Sequence, residues 1–117
     1  MKIGCDIEKV NRIALSSDGF FEKYFTQKER QYANSKARPM ETYTGMYCAK
    51  EAFVKALGTG FDGSVILSEI EILHDNNGAP YYNLHGKAKA SVENFAKLRL
   101  TISHTETDAI AFCLIED

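Results

Sequence analysis

Four polar side chains stand among apolar neighbours in this 117-residue chain: Asp6 in "IGCDIE", Glu51 and Lys55 in "YCAKEAFVKALGTG", and His104 in "LTISH". Two carboxylates brought from different elements suit a hard cation. Mg2+ is typically held by one or two carboxylates, with phosphate oxygens and water completing its octahedron. A lysine beside such a site neutralises charge that develops on a phosphate. Asp6, Glu51 and Lys55 therefore form a candidate phosphoryl-transfer set, with Asp6 and Glu51 as the metal ligands, provided the fold brings them together. Each also has a plainer reading: Asp6 as a cap for a following helix, Glu51 and Lys55 as an i,i+4 ion pair, His104 as a hydrogen-bonded core histidine.

The elements that must position these groups are legible in outline. Met46 to Leu57 places Met46, Tyr47, Ala49, Phe53, Val54, Ala56 and Leu57 on a broad apolar arc, with Cys48 and Ala52 small beside it. A surface helix keeps a continuous polar face, so this pattern predicts a central, buried helix with Lys50 inside the arc and Glu51 and Lys55 near-buried at its edge. Gly58-Thr59-Gly60 ends it; one glycine is an ordinary C-terminal signal, and two allow close approach to the backbone.

Lys2 to Ile7 alternates as a first strand, followed by a short helix with Val10, Arg12 and Ile13. Phe20, Phe21, Tyr24 and Phe25 recur at helical spacing and read as core. "TQKE" at Thr26 to Glu29 has capping-box spacing and starts a helix to about Ala33. Lys36, Arg38 and Pro39 form a basic connector. "ILSEIEIL" and "YYNL" flank "DNNGAP", whose Asn77-Gly78 signals a hairpin. Gly86 to Phe95 reads as a helix. "LRLTISH" puts Leu98, Leu100, Ile102 and His104 on one strand face, and a polar turn leads to a last strand "AIAFCLI". This order predicts an α+β fold: a mainly antiparallel sheet packed with a long central helix, one domain over 1–117.

Composition narrows the partners. With 44% hydrophobic and 26% charged residues and a formal net charge of −2, there is no global basic field for nucleic acid. Cys5, Cys48 and Cys113 are odd in number and widely spaced, as reduced thiols of a cytoplasmic protein would be. No run is long enough to span a membrane, and the first residues lack the apolar core of a signal peptide. Walker, G-x-S-x-G, H-E-x-x-H and G-x-G-x-x-G motifs are absent, and His74 and His85 fall in loop or helix-start positions with no role to assign.

Taken together and in order, "IGCDIEKVNRI", "YFTQKE", "TGMYCAKEAFVKALGTG", "IEILHDNNGAP" and "LTISHTETDAIAF" resemble the short 4′-phosphopantetheinyl transferases, the bacterial holo-acyl-carrier-protein synthases. The resemblance runs over the whole chain, and its KEAxxKALGTG block is highly specific. It implies a 4′-phosphopantetheinyl transferase-like fold and an enzyme that moves phosphopantetheine from coenzyme A to a serine of an apo acyl carrier protein, Mg2+-dependent, releasing 3′,5′-ADP. Asp6 and Glu51 would hold Mg2+, and Lys55 a phosphate. Ser103, His104 and Thr105 would contact coenzyme A. Gly58, Thr59, Gly60, Gly78 and Pro80 would line the nucleotide site, and Arg12 would dock the acidic carrier with help from Lys9 and Lys23. The serine's base is Glu51 or a metal-bound water. A homotrimer with sites between subunits is also implied.

One position departs from the resemblance: Met46 stands where an arginine is usual, so either Lys50, Lys36 or Arg38 supplies the phosphate contact or coenzyme A binds more weakly. That departure supports a second reading, a coenzyme A or nucleotide binding module without turnover. A purely structural interaction domain would leave the charges on the central helix unexplained.

Overall fold

The computed structural model describes residues 1–17, 19–58, 66–94 and 96–116. Strand β1, Lys2–Lys9, leads into α1, Val10–Ala14, then α2, Phe20–Tyr24, and α3, Gln27–Asn34. The long helix α4 spans Pro39–Leu57; β2, Ile70–His74, and β3, Pro80–Leu84, form a hairpin; α5, Gly86–Ala90, precedes β4, Lys97–His104, and β5, Asp108–Glu116. β1, β5 and β4 make an antiparallel three-stranded sheet in that order, and β2 and β3 pair separately. The α+β, mainly antiparallel expectation holds.

α4 packs along β5, whose inward residues Ala109, Ala111 and Cys113 are small and buried. β1 and β4 flank it. Two glycines permit the approach. A Cβ on Gly4 would lie 2.0 Å from the Ala52 carbonyl oxygen, and one on Gly45 would lie 2.8 Å from Ile102 Cγ2. Phe25, Met46, Phe53, Ile70 and Ile72 fill the core at 2% exposure or less; burying each contributes about 1.5–3 kcal/mol.

Four differences from the sequence reading have local causes. α4 begins seven residues before Met46, because Pro39 sits at its first turn, where a missing N–H costs nothing. Leu67–Glu69 is a 3-10 turn rather than strand, since the Leu67 and Ile70 carbonyls accept from the Lys50 ammonium. α5 stops at Ala90, where the Ser91 hydroxyl donates to the Ala88 carbonyl. On β1, Gly4 faces α4, while Ile3 and Ile7 are 68% and 65% exposed, so the apolar alternation lies on the sheet's outer face.

Candidate active site

The close seat of β1 on α4, made possible by Gly4, carries Asp6 to the C-terminal half of the helix. There Lys55 Nζ donates to Asp6 Oδ1 at 2.9 Å. The i,i+4 reading of Lys55 with Glu51 is replaced by this cross-element pair. Lys55 is 56% exposed rather than near-buried, and Asp6 is 14% exposed. The Asp6 hydrogen bond holds the ammonium above its ordinary value, so Lys55 stays charged and reachable from solvent. Glu51 is half-buried beside them. Desolvation, then the neighbouring Asp6 charge, pushes its carboxyl up, and a hydrogen bond from Tyr47 partly opposes this. Tyr47 in turn is pushed up to about 12 by burial and by Glu51.

A half-desolvated Glu51 whose ionisation is opposed by the carboxylate of Asp6 beside it offers a donor pair that a hard cation would relieve. Among the described residues no three His, Cys, Asp or Glu side chains converge as a metal cage. Glu51 also borders a cleft of about 830 Å³ whose walls include Phe20, Tyr24, Tyr47 and Leu67, with Lys23 at its edge. Phe20 and Tyr47 stack there, with ring centroids 5.9 Å apart.

Of the other predicted residues, His104, Gly78 and Pro80 gather at a second cleft, on another flank of α4. In register, Asp6 pairs with Ala111 and Ala111 with Ile102, so Asp6 and the His104 strand lie two strand spacings apart, about 10 Å. His104 Nδ1 meets Glu41 Oε1 at 3.0 Å. With Gly78, Pro80 and Met46 it lines a smaller cleft of about 150 Å³. Gly78 adopts φ +84° in the hairpin turn, where the Asp75 carboxylate accepts from the Asn77 and Ala79 amides. Ser103, one residue from His104 on the strand, points to the other face, as strand alternation dictates. The Thr105 hydroxyl is occupied in closing the β4–β5 turn, accepting from the Thr107 and Asp108 amides. Gly58 caps α4 at φ +74°. Thr59 and Gly60 lie outside the described residues. Arg12 is exposed and donates to Glu8 Oε2 at 2.7 Å.

Lys50 requires a correction. It is fully buried, and its three N–H donors go to Glu29 Oε1, Leu67 O and Ile70 O at 2.9, 2.9 and 2.8 Å. No donor remains for a coenzyme A phosphate. Met46 is buried as well, at 1% exposure. Lys36 lies near the His104 cleft, 4.5 Å from the centroid of Tyr32, a residue of the cleft wall. Arg38 is held by Glu41 at 3.3 Å.

Three participants escaped the sequence reading. Tyr47 reads as packing, yet its hydroxyl borders Glu51. Glu41 sits in the basic connector's shadow at the start of α4, and only the fold brings it to His104. His74 stacks on Tyr32 at 3.8 Å, with its Nδ1 buried and unpartnered among the described residues, and lines the same cleft. Its place in one hairpin with Gly78 and Pro80 was the available signal.

The paired acidic and basic groups suit a protein of the phosphoryl-transfer class, and comparison with known proteins gives the family. The profile of the 4′-phosphopantetheinyl transferase superfamily (ACPS) matches residues 2–113, and the chain belongs to that superfamily. It is 44% identical over 114 residues to a holo-[acyl-carrier-protein] synthase of Thermoanaerobacter sp. (strain X514), covering 93% of this chain and 82% of that protein. In structure it is similar to the ACPS–CoA complex of Chronobacterium ammoniagenes, at TM-score 0.86 and 31% identity, over 98% of this chain and 96% of that one. It is also similar to a holo-(acyl-carrier-protein) synthase of Bacillus anthracis str. Ames in complex with CoA (3′,5′-ADP), at TM-score 0.83 and 33% identity, over 98% and 95% of the two chains. The resemblance drawn from the sequence is borne out.

Proposed function

We propose that the chain transfers 4′-phosphopantetheine from coenzyme A to a serine hydroxyl of an apo acyl carrier protein. The serine oxygen bonds to the β-phosphorus, the bridging P–O bond breaks, and 3′,5′-ADP leaves. The observation that carries this reading is the Asp6–Lys55 pair at 2.9 Å with Glu51 beside it, on a strand and a helix locked together through Gly4. The names of the relatives, which speak of acyl carrier protein and CoA, support the substrates.

Asp6 and Glu51 would hold Mg2+, which when bound neutralises the pyrophosphate and orients it for in-line attack. Lys55, charged and half in solvent, binds a phosphate oxygen and stabilises the charge that builds on the 5′-phosphate of the departing 3′,5′-ADP. Glu51, with its carboxyl pushed up, is one candidate to accept the serine proton, and a water held at the site is the other. On the other flank, His104, Gly78 and Pro80 hold the nucleotide. The family resemblance adds Gly58, Thr59, Gly60, Ser103 and Thr105 as further contacts. Arg12 attracts the acidic carrier through charge, an interaction that weakens with salt.

The two halves lie on different flanks of α4, which suits a site completed between copies. Ile3, Ile7 and Phe112 leave apolar surface on the outer sheet face, and such surface supports assembly, here into a homotrimer. In this reading residues 1–117 act as one domain, in the cytoplasm. Among the described residues no helix is long and apolar enough to cross a membrane.

The test is incubation with coenzyme A, Mg2+ and a fatty-acid apo acyl carrier protein, reading the carrier's mass. One added phosphopantetheine, abolished by EDTA, is expected. An unmodified carrier that a known transferase does modify, together with coenzyme A binding that survives EDTA, would replace this reading with a binding module.

A further inference from the structure

The interior of the chain holds a charge that the transfer reaction does not use. Lys50 and Glu29 are both 0% exposed. Their contacts are more than an ion pair. Glu29 Oε1 accepts from Lys50 Nζ and from the Thr26 amide at 2.8 Å, and Glu29 Oε2 accepts from the Ile72 amide at 2.9 Å. Lys50 adds the carbonyls of Leu67 and Ile70. One carboxylate and one ammonium thus tie the start of α3, the middle of α4 and both ends of the Leu67–Ile72 segment together. Thr26 extends the tie, donating from its hydroxyl to Glu71 Oε2 at 2.6 Å.

The segment so held is not remote from the chemistry. Leu67 is a wall of the large cleft that Glu51 and Tyr47 also line. Lys50 immediately precedes Glu51, so the peptide that carries the candidate metal ligand carries the anchor of the opposite wall. Buried ion pairs are costly to desolvate and weak as general stabilisers, and their best-attested use is to fix one arrangement among several apolar alternatives. An apolar pair would fill this space, but it could not fix the height of Leu67 relative to Glu51.

We infer that Glu29 and Lys50 are positioning residues: they clamp the Leu67–Ile72 segment across α4 and so set the distance between the Leu67 wall and the Glu51 carboxylate in the cleft where phosphopantetheine is transferred. The inference rests on the transferase reading for its consequence, and on the geometry alone for the clamp.

Two measurements test it. In the wild-type protein the Ile72 amide, bonded to Glu29 rather than to the β3 strand, should exchange with deuterium only through global unfolding; exchange through local opening overturns the clamp. The second uses the charge-neutral double variant Glu29→Gln/Lys50→Met. Its amides at 66–72 should exchange faster, coenzyme A should still bind at full stoichiometry, and kcat should fall roughly 100-fold, the loss that a displacement of about 1 Å brings. A double variant with wild-type kcat overturns the positioning role. Should the wild type modify no carrier, the transferase reading falls, and the exchange of Ile72 decides the clamp without it.

Discussion

Two lysines on one helix, five residues apart, each sit 2.9 Å from a carboxylate on another element, and the resemblance ends there. Lys50 with Glu29 is sealed from solvent, while Lys55 with Asp6 is 56% exposed on the lysine side. Burial pushes the Lys50 ammonium down and the Glu29 carboxyl up, each against its partner's attraction, so desolvation outweighs pairing for both. Lys55 moves the other way, held up by its bond to Asp6. Equal bond lengths therefore conceal opposite roles. The buried pair has no capacity left for a ligand, whereas the exposed pair can exchange protein partners for phosphate and metal.

The largest effect should come from breaking the buried pair on one side only. Lys50→Met leaves Glu29 charged, buried and short of a donor, and should cost about 3–5 kcal/mol of folding free energy. That is a large part of the roughly 5–15 kcal/mol a domain commands. Lys55→Met should cost less than about 1 kcal/mol, as exposed pairs do. Urea unfolding of the two variants side by side checks this, and equal losses would erase the distinction between the sites.

At the exposed site, rate should be lost without stability. Glu51→Gln and Lys55→Met should each lower kcat by about 100-fold or more while melting near the wild type, because each removes charge stabilisation of the transfer step. Glu51→Gln should in addition raise the Mg2+ concentration needed for half-maximal rate, read from a metal titration of carrier modification. An unchanged Mg2+ requirement would remove Glu51 from the metal. Gly4→Ala lies between these cases. Its methyl meets the Ala52 carbonyl oxygen at 2.0 Å, so β1 must lift off α4, costing about 1–3 kcal/mol and pulling Asp6 from Lys55. Stability and rate should drop together.

These contrasts show where the sequence was readable. The central helix, the Thr26–Glu29 capping box, the Asn77-Gly78 hairpin and the antiparallel order all follow from periodicity and turn chemistry that act over a few residues. The capping box starts a helix, and the fold uses its Glu29 a second time, as the partner of Lys50. Helical spacing placed Lys50 inside the apolar arc, but only tertiary contact decides whether a buried ammonium meets protein carbonyls or a ligand. Lys55 looked near-buried on a helical wheel because its neighbours in sequence are apolar, and its long stem carries the charge out past them. Asp6 and Glu51 could be nominated from residue type. Their adjacency rests on Gly4, whose lack of a side chain is a weak signal until the helix behind it is seen.

The smallest effect tests the same network by pH. Glu71 is 4% exposed, near Glu29, yet its carboxyl moves the other way. Burial alone would raise it, but bonds from Thr26, His85 and Asn83 win and hold it below its ordinary 4.5. A carboxylate whose folded value lies below its unfolded one stabilises the fold above the unfolded value, and that contribution is lost as pH falls through the folded value. Unfolding midpoints of the wild type should therefore decline with acid below about pH 4.5 more steeply than those of Glu71→Gln, which has no proton to take up. The difference between the two slopes isolates Glu71 from the other acidic groups. Parallel slopes would mean that the donors around Glu71 do no more than offset its burial, and would place it beside Glu29 as a carboxylate the fold tolerates for geometry.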